Sequence, residues 1–99
     1  MGITQRDREV IASTLRKALG TEEVTAVIFG SQARGDAHFG SDVDIGLSTK
    51  SGEPLPPGLL ADVQEAFDDS SLTQRVEVVD LARTTQTFRD EALRHTIPI

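Results

Sequence analysis

The chain contains no cysteine and no tyrosine, and no apolar run approaches the length of a membrane span. The first absence excludes disulfides and thiolate metal sites, and it fits a reducing compartment. The second excludes self-modification on tyrosine. The third argues against a membrane-spanning helix. Positive charge is also scarce. Ten Lys and Arg stand against 16 Asp and Glu, for a net charge of −6 and a pI near 4.7, and there is no basic cluster. A protein that grips long DNA or RNA needs a basic face to displace phosphate counterions, so long nucleic acid is a poor substrate here. A small anion carried in with a divalent cation remains compatible, because the metal reverses the local charge. The opening residues Met1 to Glu9 lack the apolar core of a signal peptide, and a cytoplasmic protein is expected. The 99 residues suffice for one small domain, 1–99, with a limited core. Homo- or hetero-association would be an unsurprising source of extra stability.

Periodicity divides the chain into alternating elements. Thr4 is a plausible N-cap, with Asp7 three residues on, and Val10, Ile11, Leu15, Ala18 and Leu19 recur at helical spacing before Gly20. A first helix is expected over about 4–19. Val24 to Phe29 is a short, β-branched apolar run and reads as a buried strand. Ser31 to His38 suits a short helix or turn. Asp42 to Ser48 alternates, with Val43, Ile45 and Leu47 on one face and Asp42, Asp44, Gly46 and Ser48 on the other. A Gly- and Pro-rich loop over 50–58 follows, and Pro56-Pro57 suits the start of a helix. Leu59, Leu60, Val63, Ala66 and Phe67 form a helical stripe. Arg75 to Leu81 is a third strand, and residues 84–95 a last helix with Phe88, Ala92 and Leu93 turned to the core. The order predicts an α/β (α+β) domain: a small mixed three-stranded sheet with about four helices packed on it.

Gly30-Ser31, ten residues, then Asp42-x-Asp44 is the motif that carries chemistry. A small-residue turn after a buried strand can offer backbone N–H groups and the Ser31 hydroxyl to a phosphate. Gly30 would allow close backbone approach, and Arg34 would add charge or steady the turn. Two carboxylates at i and i+2 share one strand face and can bind hard divalent cations through oxygen. Either element alone has a plain structural explanation, as a solvated strand face or an ordinary strand-to-helix turn. Asp is a poor strand former, however, and two in one central strand need a reason. His38, His95, Lys50 and Asp68-Asp69 are simplest as solvent-facing groups, although Lys50 could reach a phosphate from the strand's end.

Gly30-Ser31-Gln32-Ala33-Arg34-Gly35 followed by Ser41-Asp42-Val43-Asp44-Ile45 resembles the minimal nucleotidyltransferase family, within the DNA polymerase beta-like superfamily. The resemblance covers nearly the whole chain and implies a nucleotidyltransferase core like the polymerase beta palm. It implies that Asp42 and Asp44 hold two Mg²⁺ ions. Gly30, Ser31, Arg34 and Ser41 would bind the nucleoside triphosphate, with ATP the favoured co-substrate. A third carboxylate, from the strand Arg75 to Leu81, would complete the site and help activate the acceptor hydroxyl. Glu77 aligns best with it. Many relatives carry Asp there, so Glu77 is a departure, and Asp80 is the competitor, although Asp80 could instead cap the next turn.

The expected elements use up the chain, leaving no segment to bind an acceptor, so the acceptor is expected on another molecule. Many stand-alone members of the resembled family work beside a HEPN-domain protein as the antitoxin of a toxin–antitoxin pair. In some, the nucleotidyltransferase adenylylates a tyrosine of the toxin. Two other readings stand beside this one: a binding module that neutralises its partner by contact, and a transferase acting on a small molecule such as an aminoglycoside.

Overall fold

The computed structural model describes residues 3–36 and 42–99. Ser41 and His38, singled out above, lie outside the described residues. Helix α1 is Gln5–Leu19. Its start is held by a reciprocal cap: Thr4 Oγ1 accepts from the Asp7 amide (3.1 Å), and Asp7 Oδ2 accepts from the Thr4 amide (3.3 Å). It ends at Gly20, whose φ of 59° suits glycine and whose amide reaches Arg16 O. Ile11 and Leu15, four apart, are buried on one face of this helix.

Strand β1 is Val24–Phe29, the short helix α2 is Ser31–Arg34, and β2 is Val43–Thr49. Helix α3, Leu59–Asp68, buries Val63 and Phe67, again four apart. It begins later than Pro56-Pro57 predicts. Gly58, in the left-handed region at φ 82°, turns the chain, and its carbonyl takes the first helical bond from Asp62 (3.0 Å). Strand β3 is Val76–Asp80, followed by a 3₁₀ turn at Leu81–Arg83 and helix α4, Gln86–Ala92.

The sheet has four strands rather than three, in the order β3-β2-β1-β4, where β4 is Ile97–Pro98. β4 pairs antiparallel with β1 at Val27 and Ile28. Two residues, one of them a proline without an N–H, leave no alternation to read, which is why the sequence pattern missed this strand. β1 and β2 are antiparallel, and β2 and β3 are parallel, joined across α3. Ile28, Ile45 and Val78 stand side by side on one sheet face, in register across β1, β2 and β3. Ile11, Leu15, Val63, Phe67 and Leu55 join them in one buried cluster. Each such side chain contributes about 1.5–3 kcal/mol on burial.

The edge strand β3 is tied to α3 through one side chain. The Gln64 amide donates to Val76 O (2.8 Å) and accepts from the Val78 N–H (3.0 Å), so it satisfies the main chain on both sides of Glu77. On the opposite sheet face, Leu81 closes over Gly46. A methyl group at Gly46 would meet Leu81 side-chain atoms at 2.9–3.2 Å, and Leu81 is 3% exposed. Gly46→Ala is therefore expected to lower stability by about 1–3 kcal/mol in urea unfolding. A wild-type midpoint would show that Leu81 moves aside freely.

Candidate active site

The row next to Ile28–Ile45–Val78 lies on the other sheet face. Phe29 pairs with Asp44, and Asp44 pairs with Glu77. A strand turns successive side chains to opposite faces, so the row beside the buried one presents an aromatic ring and two carboxylates across three adjacent strands. Asp42 lies exposed just ahead of β2, one residue before the strand it was expected to occupy. It is close enough to act on the charge of Asp44. Asp42, Asp44 and Glu77 are thus brought together.

Asp80 is not part of this group. It is 4% exposed and belongs to the opposite face. Its Oδ2 accepts from the Leu55 amide (3.0 Å) and sits 3.4 Å from Arg83 Nε, and its Oδ1 accepts from the Ala82 amide (3.1 Å). These bonds cap the 3₁₀ turn and hold the 50–58 loop, which leaves Glu77 as the strand's site-facing carboxylate. Lys50 follows the far end of β2, about 20 Å along the strand from Asp44 at ~3.3 Å per residue. That placement removes it from the site. His95, Asp68 and Asp69 are exposed, and Asp68 accepts from Gln64 on its own helix.

Gly30 separates β1 from α2 and has φ 74°. A Cβ at this position would collide with Asp44 Oδ2 and lie 3.3 Å from Asp44 Cγ. Glycine is required by this close approach as well as by its backbone conformation. The amides of Ala33 and Arg34 both donate to Gly30 O (3.1 and 3.0 Å), which winds the turn and leaves the Ser31 amide ahead of the ladder. Gln32 is buried behind the turn, whereas Arg34 is exposed, with Nε 3.3 Å from Asp36 Oδ2. Arg34 is still near enough to draw down the Asp44 pKa.

Burial pushes the Asp44 carboxyl above its ordinary value, and the negative charges of Glu77 and Asp42 push it further; Arg34 opposes them. Like charges held together on hard oxygen donors are what a dication relieves. Among the described residues, no three carboxylates or imidazoles are gathered tightly enough to enclose an ion by themselves. Mg²⁺ does not need such a cage, since it commonly takes one or two carboxylates with water and substrate phosphate. Asp42, Asp44 and Glu77 fit a Mg²⁺ that arrives with a phosphate.

An open cleft of about 300 Å³ adjoins Asp44 and is lined by Phe29, Gly30, Ser31, Arg34, Phe88 and Glu91. Sequence periodicity assigned Phe88 and Leu93 to the core. They are instead 42% and 50% exposed. Only Ala92 of the expected three is buried. Phe88 meets the Phe29 ring edge-on at 5.9 Å between centroids, with an interplanar angle of 85°. Apolar spacing on α4 could not distinguish packing against a site wall from packing into the core. The signal available was Phe88 and Glu91 at i, i+3, on one helix face. Another hollow of about 280 Å³, between α1 and the C-terminal strand, is lined by Arg8, Ile11 and Ile28 and lacks the three carboxylates.

The raised Asp44 pKa has a measurable sign. The folded state holds the Asp44 proton more tightly than the unfolded chain, whose value is near 3.8. Its ionisation therefore costs stability as pH rises through the folded value, and the cost persists at neutral pH. In chelator at pH 7, Asp44→Asn is expected to raise Tm. The gain narrows as pH falls toward 3.8. A gain that grows on acidification would contradict the charge crowding.

Comparisons with known proteins place the chain in a family. Residues 9–99 match the family model Polymerase beta, Nucleotidyltransferase. A 68-residue stretch, 69% of the chain, is 35% identical to the "probable protein adenylyltransferase MntA" of Haemophilus influenzae, and it spans 58% of that relative's length. A solved structure of a candidate minimal nucleotidyltransferase is 28% identical, with a TM-score of 0.66 over 96% of this chain and 91% of that one. A toxin–antitoxin structure with AMP-PNP shares the fold at 19% identity, with a TM-score of 0.73 over 93% of this chain and 71% of that one. No helix among the described residues is long and apolar enough to cross a membrane. Gly30 against Asp44, with Glu77 on the neighbouring strand, accordingly belongs to a member of the polymerase beta nucleotidyltransferase family, of the minimal nucleotidyltransferase kind.

Proposed function

We propose that this protein transfers AMP from ATP, with Mg²⁺, to a hydroxyl of a partner protein of the HEPN type, and so acts as an antitoxin. The observation that carries the reading is the in-register neighbourhood of Asp44 and Glu77, with Gly30 set against the Asp44 carboxylate. The Haemophilus influenzae relative is a probable protein adenylyltransferase, which supports a protein acceptor. The toxin–antitoxin structure holding AMP-PNP has the same fold. The absence of tyrosine from this chain excludes itself as a tyrosyl acceptor.

Asp42, Asp44 and Glu77 would hold Mg²⁺, whose chemistry when bound is to neutralise phosphate charge and lower the pKa of the acceptor hydroxyl. The Ser31 amide and hydroxyl, with Arg34, would hold the outgoing pyrophosphate end. Glu77 would take the acceptor proton. The acceptor oxygen forms its bond to the α-phosphorus as the bond to the β-phosphate oxygen breaks, and pyrophosphate leaves. Positioning and fixed charge supply most of the acceleration.

The test is label transfer. α-Labelled ATP and Mg²⁺ are added to a lysate of the native host with wild type, Asp42→Asn, Asp44→Asn or Glu77→Gln. The wild type is expected to label one protein band, and each variant to lose about a hundred-fold or more. Near-normal transfer by Asp42→Asn or Asp44→Asn would sink the assignment. Label on a small molecule would move the acceptor away from protein. Neutralisation of the partner by Asp42→Asn without nucleotide would favour inhibition by contact.

A further inference from the structure

We infer that the cleft between Phe88 and the Ser31 turn seats the nucleoside of the co-substrate, with Phe88 as the stacking face for its base. This rests on the reading of Asp42, Asp44 and Glu77 as a nucleotidyl-transfer site. The argument begins with direction. Asp44 is central, with Glu77 on the β3 side and Phe29 on the β1 side. An acceptor hydroxyl that gives its proton to Glu77 must approach from the β3 side. The space left for the nucleoside is then on the β1 side, where the cleft lies.

Charge orients the ligand within that cleft. Ser31 and Arg34 line it from α2, and Glu91 lines it from α4. A triphosphate tail is drawn to the Ser31 turn and Arg34, so the uncharged end of the nucleotide is turned toward α4. There it meets the Phe88 ring. Phe29, 7% exposed, props Phe88 edge-on and leaves Phe88 42% exposed. The backbone beneath is fixed. Thr85 Oγ1 accepts from the Phe88 amide (3.1 Å), and Arg89 Nη1 donates to Leu81 O (3.2 Å) and Thr84 O (2.6 Å). A half-open aromatic on a pinned helix gives a stacking surface that any base can use. The Glu91 carboxylate, held by Arg94 Nη1 at 3.3 Å, stands at the rim as an acceptor for ribose hydroxyls or an exocyclic amine.

The chain has no tryptophan, so Phe88→Trp installs a single indole reporter. Equilibrium binding is measured for Mg·ATP and for Mg·tripolyphosphate, which has the phosphate tail without the nucleoside. Phe88→Leu, which keeps apolar volume against Phe29 but loses the ring, is expected to weaken Mg·ATP about ten-fold and leave Mg·tripolyphosphate unchanged. Phe88→Trp should retain Mg·ATP affinity, with its emission quenched by Mg·ATP and not by Mg·tripolyphosphate. Equal weakening of both ligands in Phe88→Leu would mean that Phe88 only supports the fold, and would overturn the inference. So would unchanged Mg·ATP binding, or an indole that responds to a phenolic acceptor analogue and not to Mg·ATP. If the wild type binds neither magnesium complex, the nucleotidyl-transfer reading itself fails and takes this one with it. Loss confined to Mg·ATP in the variant leaves that reading intact.

Discussion

Strand register is the constraint on which the rest depends. Ile28, Ile45 and Val78 are packed beneath α1 and α3 in one buried cluster, and that packing fixes how β1, β2 and β3 line up. The next row, Phe29–Asp44–Glu77, is set by the same register. A slip of one residue in β3 would send Glu77 into the core and bring a valine to the site. The hydrophobic face thus acts as the alignment device for the polar one. Asp80, at the end of the same strand, reinforces it from the buried side by holding Leu55 and Ala82.

The arrangement carries strain that the fold alone does not reward. Asp44 is half-buried among negative neighbours, and its carboxyl is pushed above its ordinary value by burial, Glu77 and Asp42. Gly30 must bring the backbone against that carboxylate in a conformation other residues rarely adopt. Gln64 gives both arms of its amide to the edge strand around Glu77, which holds the carboxylate in line and also occupies main-chain groups that an open edge would expose. These features work together if the site is completed by a cation and a phosphate.

Most of this was legible in sequence because each signal had a local cause. Thr4 with Asp7, the 3.6-residue spacing of Ile11 and Leu15, and the alternation from Val43 to Leu47 act over a few residues and survived unchanged. The choice between Glu77 and Asp80 stayed open in sequence; the bonds of Asp80 to the Leu55 and Ala82 amides separate the two in the structure. Two failures have tertiary causes. Ile97–Pro98 is a strand only because β1 offers it an edge. Phe88 has core-like spacing, yet which sheet face α4 approaches is decided by the 3₁₀ turn at Leu81–Arg83 and by Arg89, and no short pattern records that.

The most direct measurement is equilibrium binding of a non-hydrolysable ATP analogue to wild type and to Asp44→Asn, each with and without Mg²⁺. If the carboxylates around Asp44 and Gly30 form a metal–nucleotide site, Mg²⁺ should tighten binding to the wild type at least ten-fold, and the variant should lose that gain. Equal affinity with and without Mg²⁺, unchanged by the substitution, would contradict the account.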